Sequence, residues 1–208
     1  MKQRINDVRK VRRRTLEMLE PLSQAELDAR EAADRWSPGQ IADHLIKANR
    51  MYLGEIHKLI ALKRAGKKPE IYVRLSEMQF EVPFLPRFLM PLAEVPVGLF
   101  NTFLPASVRE LFLRSPILPA QAPAVLKPEA GRKREDLLAD LRRTLEETER
   151  LFVDHRDVDL AELRYYHPLF GFNGLDGILG LLASHEERHQ KQLAQAVARI
   201  ARVRLDAA

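Results

Sequence analysis

ILGLLASHEERHQKQLAQAVARI, residues 178–200, decides the fold. Ile178, Leu182, His185, His189, Gln192 or Leu193, Ala196 and Ile200 recur at spacings of three and four, the period of one face of an α-helix. Two places on that face that call for apolar side chains hold histidine instead. An i, i+4 pair stacks two imidazoles about 6 Å apart in backbone rise, which suits chelation of a single ion.

Three other stretches carry the same period, so bundle helices are expected over about 3–20, 37–65, 132–154 and 174–202. The start at Ser37 is well marked, with Pro38 at the first helical position and Gln40 at the third forming a capping box. Asn173, with Asp176 three residues on, reads as the cap of the last helix. In the first helix Val8, Val11, Thr15, Met18 and Leu22 form the buried stripe, and Arg9, Lys10, Arg12, Arg13 and Arg14 read as a solvated face. In the third, Leu137, Leu138, Leu141, Leu145, Thr148 and Phe152 share a face. No run of four to eight residues alternates cleanly, so strand signals are weak. The expected fold is all-α, one four-helix bundle domain over residues 1–208.

Residues 66–131 differ in kind. They contain ten of the thirteen prolines, which rules out one continuous helix. They are also rich in Phe, Leu and Val, unlike a disordered linker. Arg87, Glu94 and four prolines interrupt the apolar run from Phe84 to Pro105, against a membrane span. The reading is a proline-rich, partly helical crossover between the second and third bundle helices. Short helices are expected near Glu77–Leu92 and Ser107–Leu113, packed over one end of the bundle and lining a pocket there.

The chain has no cysteine, so disulfides and thiolate metal sites are excluded, and any thiol chemistry needs a thiol from solution. The charged start, Met1-Lys2-Gln3-Arg4, lacks the apolar core of a secretion signal, and a cytoplasmic location is expected. The net charge of +5 comes without aromatic interleaving or a groove-reading motif, so no nucleic-acid partner is expected.

Of the six histidines, three face inward: His185, His189 and, on the stripe Ile41, His44, Ala48, Met51 and Glu55, His44. His57 lies about 220° around the helix from His44 and reads as a non-ligand. His155 suits a helix C-terminus as a cation, and His167, before Pro168, reads as a packing residue. A single inward histidine is usually a satisfied core residue. Three of them need partners for six ring nitrogens, and a shared cation satisfies one on each ring. His44 stands about six residues into its helix and His185 about eleven. Parallel helices need a stagger of about 7 Å to bring them level, and antiparallel ones a larger slide. The sequence leaves the direction open.

His185-Glu186-Glu187-Arg188-His189 also matches H-E-x-x-H, the zinc protease motif, in which the glutamate activates water. Only 19 residues follow His189, and Gln192 stands where the extended motif needs glycine, so the protease reading is weak. Glu186 keeps a claim as a general base by its place beside a ligand.

Trp36-Ser37-Pro38-Gly39-Gln40-Ile41-Ala42-Asp43-His44-Leu45 resembles the W-S-x-x-x-(I/L)-x-x-H-L segment of the DinB/YfiT-like superfamily of metalloenzymes. His167-Pro168-Leu169-Phe170-Gly171 and His185-x-x-x-His189-x-x-Gln192 are similar to the H-P-x-x-G and H-x-x-x-H-x-x-Q elements near that family's C-terminal end. The two segments cover about 35–52 and 165–193, and the crossover matches neither. The resemblance implies a four-helix bundle, often a homodimer, with a zinc- or nickel-type ion on His44, His185 and His189. It also implies kinship with thiol-dependent transferases and an isomerase, although many members have no assigned reaction.

Three neutral imidazoles leave a divalent ion its full charge and an open position, a centre that activates water or a small thiol. Gln192 is placed to hold a ligand ring in its tautomer. The expected function is a metal-dependent transferase or hydrolase acting on a small molecule. The alternative is a non-catalytic metal-binding or stress-response interaction module.

Overall fold

The computed structural model describes residues 2–30, 32, 35–73, 124–167 and 171–206. Its helices are α1 (Lys2–Leu19), α2 (Gln24–Asp28), α3 (Pro38–Arg64), α4 (Arg134–Asp154) and α5 (Leu175–Asp206). The four long ones, α1, α3, α4 and α5, are the bundle that hydrophobic periodicity demands, with boundaries within a few residues of those expected. At the start of α3 the Ser37 hydroxyl accepts the Gln40 N–H while the Gln40 side chain accepts the Ser37 N–H. A second capping box, Ser23 with Glu26, starts the short α2, which periodicity is too coarse to reveal.

The helices pack as a square in which α1 and α3 both touch α4 and α5. Contacts fix their directions. Arg12 meets Glu186 and Thr15 meets Gln190, so α1 and α5 run parallel. Arg9 meets Glu149 whereas Glu20 meets Arg142, so α4 opposes α1. Ile41 and Leu45 share a cluster with Leu193, and Ile56 and Leu59 share one with Leu175 and Ile178, so α3 opposes α5. Consecutive long helices α3 and α4 therefore run the same way. The chain leaving α3 must climb back along about 40 Å of helix before α4 can begin, which is what the long crossover is for. The expected helices near Glu77–Leu92 and Ser107–Leu113 lie outside the described residues.

A small sheet amends the all-helical expectation without changing the fold class. Strands β1 (Glu70–Tyr72), β2 (Arg164–His167) and β3 (Gly171–Asn173) stand in the order β1-β2-β3. β1 pairs with β2 in parallel, Ile71 opposite Tyr165, and β2 pairs with β3 antiparallel, Tyr166 opposite Phe172. Strands of three or four residues are shorter than the run that alternation needs to announce itself. Asn173 belongs to β3, so the last helix starts at Leu175 rather than on an Asn173 cap.

Among the described residues the core falls into two apolar clusters. One gathers Val8, Val11, Tyr52, Leu53, Ile56, Leu59, Leu151 and Ile178 near the sheet. The other gathers Leu19, Leu22, Leu27, Ile41, Leu45, Leu137, Leu141 and Leu193. Between the clusters each long helix carries buried polar residues: Arg12 and Thr15, Asn49, Thr144 and Thr148, and Ser184, Glu186, His189 and Gln190, with His44 standing at the near edge of the second cluster. A polar layer thus crosses the middle of the bundle. Among the described residues no helix is long and apolar enough to cross a membrane.

Candidate metal centre

His44 reaches the polar layer from α3, and His185 and His189 reach it from successive turns of α5. The slide that antiparallel packing requires is supplied by the length of α5, 32 residues, whose last turns run on beyond the level of Ile41 at the start of α3. The Nε2 of His185 lies 3.2 Å from the Nε2 of His44 and 3.2 Å from that of His189. All three ligand atoms fall within 4.8 Å of one another. Metal–nitrogen bonds of about 2.0–2.1 Å at tetrahedral angles set adjacent donors about 3.3 Å apart, so two of the three edges already have that length.

The outer ring nitrogens are held. The Nδ1 of His44 is 2.8 Å from the Leu126 carbonyl, and the Nδ1 of His189 is 2.8 Å from the Gln192 side-chain oxygen. Both neighbours accept, so both rings carry their proton on Nδ1 and turn an Nε2 lone pair inward. His185 has one Nε2 to offer between those two lone pairs, and a single proton there serves only one of them. A cation at the common point serves all three. The donor set fits a divalent metal of the zinc or nickel kind.

Burial keeps the rings neutral, which a ligand must be. It pushes His44 below the ordinary histidine range despite its bond to Leu126, and takes His189 down to about 3. His185 is pushed well down by burial and then by the neighbouring His189 and His44. The indole of Trp36 covers the group, its ring centroid 4.8 Å from that of His44 and stacked 6.0 Å from that of His189.

Glu186 does not join this group. One residue past His185 it turns about 100° around α5, toward α1. Arg12 Nε donates to Oε1 at 2.8 Å, Arg12 Nη2 donates to Oε2 at 2.9 Å, and the Thr15 hydroxyl donates to Oε1 at 2.7 Å. Both carboxylate oxygens are taken by α1. Arg12 is correspondingly one of the least exposed side chains in the protein, at 1 %. Its membership of the solvated basic face of α1 is thereby corrected: its spacing of four from Val8 puts it on the inner stripe. The remaining guanidinium nitrogen donates to the Leu141 carbonyl and the Thr144 hydroxyl, each at 2.7 Å.

A second ionic group holds the far end of the crossover. Asp43, fully buried, accepts from the Glu129 N–H at 2.7 Å, from Arg132 at 2.7 Å and from Lys47 at 3.1 Å. Burial alone would raise its carboxyl, but these donors hold it below the usual range. The 3₁₀ turn Ala124–Leu126, which presents the carbonyl to His44, is thus followed directly by a segment fastened to the residue beside His44. Nothing in periodicity announces this contact, because it joins positions more than eighty residues apart.

The other histidines stay out of the cluster. His57 is exposed, its ring 5.7 Å from that of His155, while His155 caps the end of α4 and receives Arg64 at 3.1 Å. His167 lies buried in β2, where burial takes it down to about 3.

With this geometry in place, comparison with known proteins adds one finding: a family profile described as the DinB superfamily matches residues 7–193. No curated protein and no solved structure matches the chain.

Proposed function

The chain belongs to the DinB superfamily, and from that premise we propose that it is a metal-dependent enzyme using an ion on His44, His185 and His189. The convergence of three neutral Nε2 atoms, two of the edges at 3.2 Å, carries the reading. A divalent ion held by three neutral imidazoles keeps an open position and its full charge, and so makes water or a small thiol nucleophilic at neutral pH. The chain's own part is to hold the donors. Leu126 and Gln192 fix two tautomers, Trp36 packs over the rings, and burial excludes protons that would compete for the ring nitrogens.

The chain has no cysteine, so a thiol nucleophile comes from solution, and the proposed reaction is transfer of a low-molecular-weight thiol to an electrophile or hydrolysis by water. The cytoplasm, where such thiols are kept reduced, is the matching compartment. Homodimerisation belongs to the same reading and is tested by light scattering. Glu186 enters as a residue held by Arg12 and Thr15, not as a general base.

The test begins with elemental analysis of purified, tag-free protein, with His185→Ala as control. About one zinc or nickel per chain is expected, lost in the variant. A screen of small thiols with epoxides, alkyl halides and esters should then give turnover that chelators abolish. No bound ion and no uptake of added zinc or nickel overturns the proposal. An ion without turnover in any pairing leaves the non-catalytic metal-binding module in its place.

A further inference from the structure

We infer that Arg12 and Glu186 are the positioning pair of the histidine ligands: α1 sets the rotation of α5, and so the aim of His185 and His189. The inference rests on the metal reading above. His185 and His189 are each followed immediately by a side chain that α1 captures. Glu186 is gripped by Arg12 and Thr15, and Gln190 donates to the Val11 carbonyl at 2.6 Å and to the Thr15 hydroxyl at 3.0 Å. One face of α5 at i, i+4 therefore carries the ligands toward α3. The face about 100° away, also at i, i+4, carries their sequence neighbours into α1.

The geometry makes the grip consequential. Side-chain ends lie about 5–6 Å from a helix axis, so a 10° rotation of α5 moves each Nε2 by about 1 Å. Metal–ligand distances tolerate about 0.2 Å. Apolar packing slides and rotates without a sharp minimum, whereas a bidentate guanidinium–carboxylate pair has one. The site is also fully furnished: Arg12 donates to Glu186, Leu141 and Thr144, linking α1, α4 and α5 in one plane. Replacing a buried ion pair by apolar residues of like volume commonly leaves stability unchanged or improved, so stability alone does not explain its presence here.

That last point supplies the experiment. Arg12→Met combined with Glu186→Leu removes both charges together and leaves neither one buried without its counterion. Zinc affinity is measured by competition with a chromophoric chelator, and the geometry by the visible d–d spectrum of the cobalt(II)-loaded chain. Folding is followed by circular dichroism. The expected result is a folded double variant that binds zinc about 10–100-fold more weakly, the range for lost outer partners of metal ligands, with a changed cobalt spectrum. A folded double variant with wild-type zinc affinity and wild-type cobalt spectrum overturns the positioning role and leaves the metal reading intact. Wild-type protein that takes up neither ion overturns both. Thr15→Val, which keeps the ion pair but removes the hydroxyl shared by Glu186 and Gln190, reads out the same grip if the double variant does not fold. It is expected to weaken zinc binding in the same direction by a smaller factor, and unchanged affinity there counts against the inference.

Discussion

The Nε2 atoms of His44 and His185 stand 3.2 Å apart although 141 residues separate them in the chain. The His44 Nε2 turns a lone pair inward, and a single proton on His185 Nε2 can serve either His44 or His189 but not both. The bundle holds them there because the Leu126 carbonyl pins the His44 ring from behind, while Arg12 and Thr15 of α1 grip Glu186 beside His185 on α5. In this protein the polar layer is built around the point where the three rings meet.

Gln192 is the partner easiest to remove without touching a ligand. Its side-chain oxygen accepts from His189 Nδ1 at 2.8 Å, and it sits one turn further along α5 on the same face. Gln192→Leu should leave the helix and its helicity intact while freeing the ring to rotate and change tautomer. Zinc affinity by chelator competition should fall about 10–100-fold, and thermal stability of the metal-free protein should move little. Unchanged zinc affinity would show that the tautomer of His189 does not depend on this bond.

Trp36 is the one tryptophan in the chain, so its emission reports on the site alone. Its ring lies 4.8 Å from that of His44 and 6.0 Å from that of His189. Nickel(II) or cobalt(II), with open d shells, should quench it strongly at one equivalent, and zinc(II), with a closed shell, should shift it without deep quenching. His44→Ala and His189→Ala should lose the nickel effect at that concentration. Equal quenching in wild type and variants would place the ion elsewhere.

The four long helices and the three clustered histidines are legible because both obey the 3.6-residue period: His44, His185 and His189 occupy inward places that periodicity exposes. The direction of α3 against α5 is not, since periodicity fixes a face and says nothing about which way a neighbour runs. The sheet escapes because its strands are three or four residues long and because β1 pairs with β2 across more than ninety positions, as Glu70 does with Arg164. Arg12 was assigned to solvent on the strength of its basic neighbours, although its place four residues after Val8 marks it as inward. Composition outweighed spacing there, and spacing was the better guide. Leu126 and Gln192 differ in the same way. Gln192 shares a helix with the ring it holds and was found, whereas Leu126 reaches His44 only through tertiary structure.

Gly39 sits where α3 begins, close against the backbone of α2. A Cβ there would meet the Leu27 carbonyl oxygen at 3.0 Å and Leu137 Cδ1 at 3.5 Å. The nearer obstacle is backbone at the end of α2, which cannot rotate away. Gly39→Ala would gain helix propensity elsewhere in a helix, but here it should destabilise by about 1–3 kcal/mol through overpacking. Urea unfolding checks this, and a variant as stable as wild type would mean that α2 is free to move off α3.

Asp140 is one of the carboxylates that make the bundle sensitive to acid. Its carboxylate accepts from Arg132 at 2.7 Å, pairs with Arg50 at 2.7 Å and with Arg143 at 3.2 Å, and is only 12 % exposed. Burial works to raise its carboxyl, but Arg132 and Arg50 outweigh it and hold the group below the usual value. An aspartate whose folded pKa lies below the unfolded value of about 3.9 binds fewer protons when folded. Its contribution to stability is complete above that value and is lost as the pH falls through the lower, folded one. Asp140→Asn should therefore be less stable than wild type by about 1–3 kcal/mol at pH 7, the cost of leaving charged donors without their acceptor. The same difference should hold at pH 5 and begin to shrink below about pH 4, where the unfolded chain takes up a proton that the folded carboxylate still refuses. Urea unfolding of both proteins across that series decides it. A gap between them that stays constant down to pH 3 would mean that the guanidinium groups find other acceptors and that Asp140 carries no acid-sensitive share of the stability.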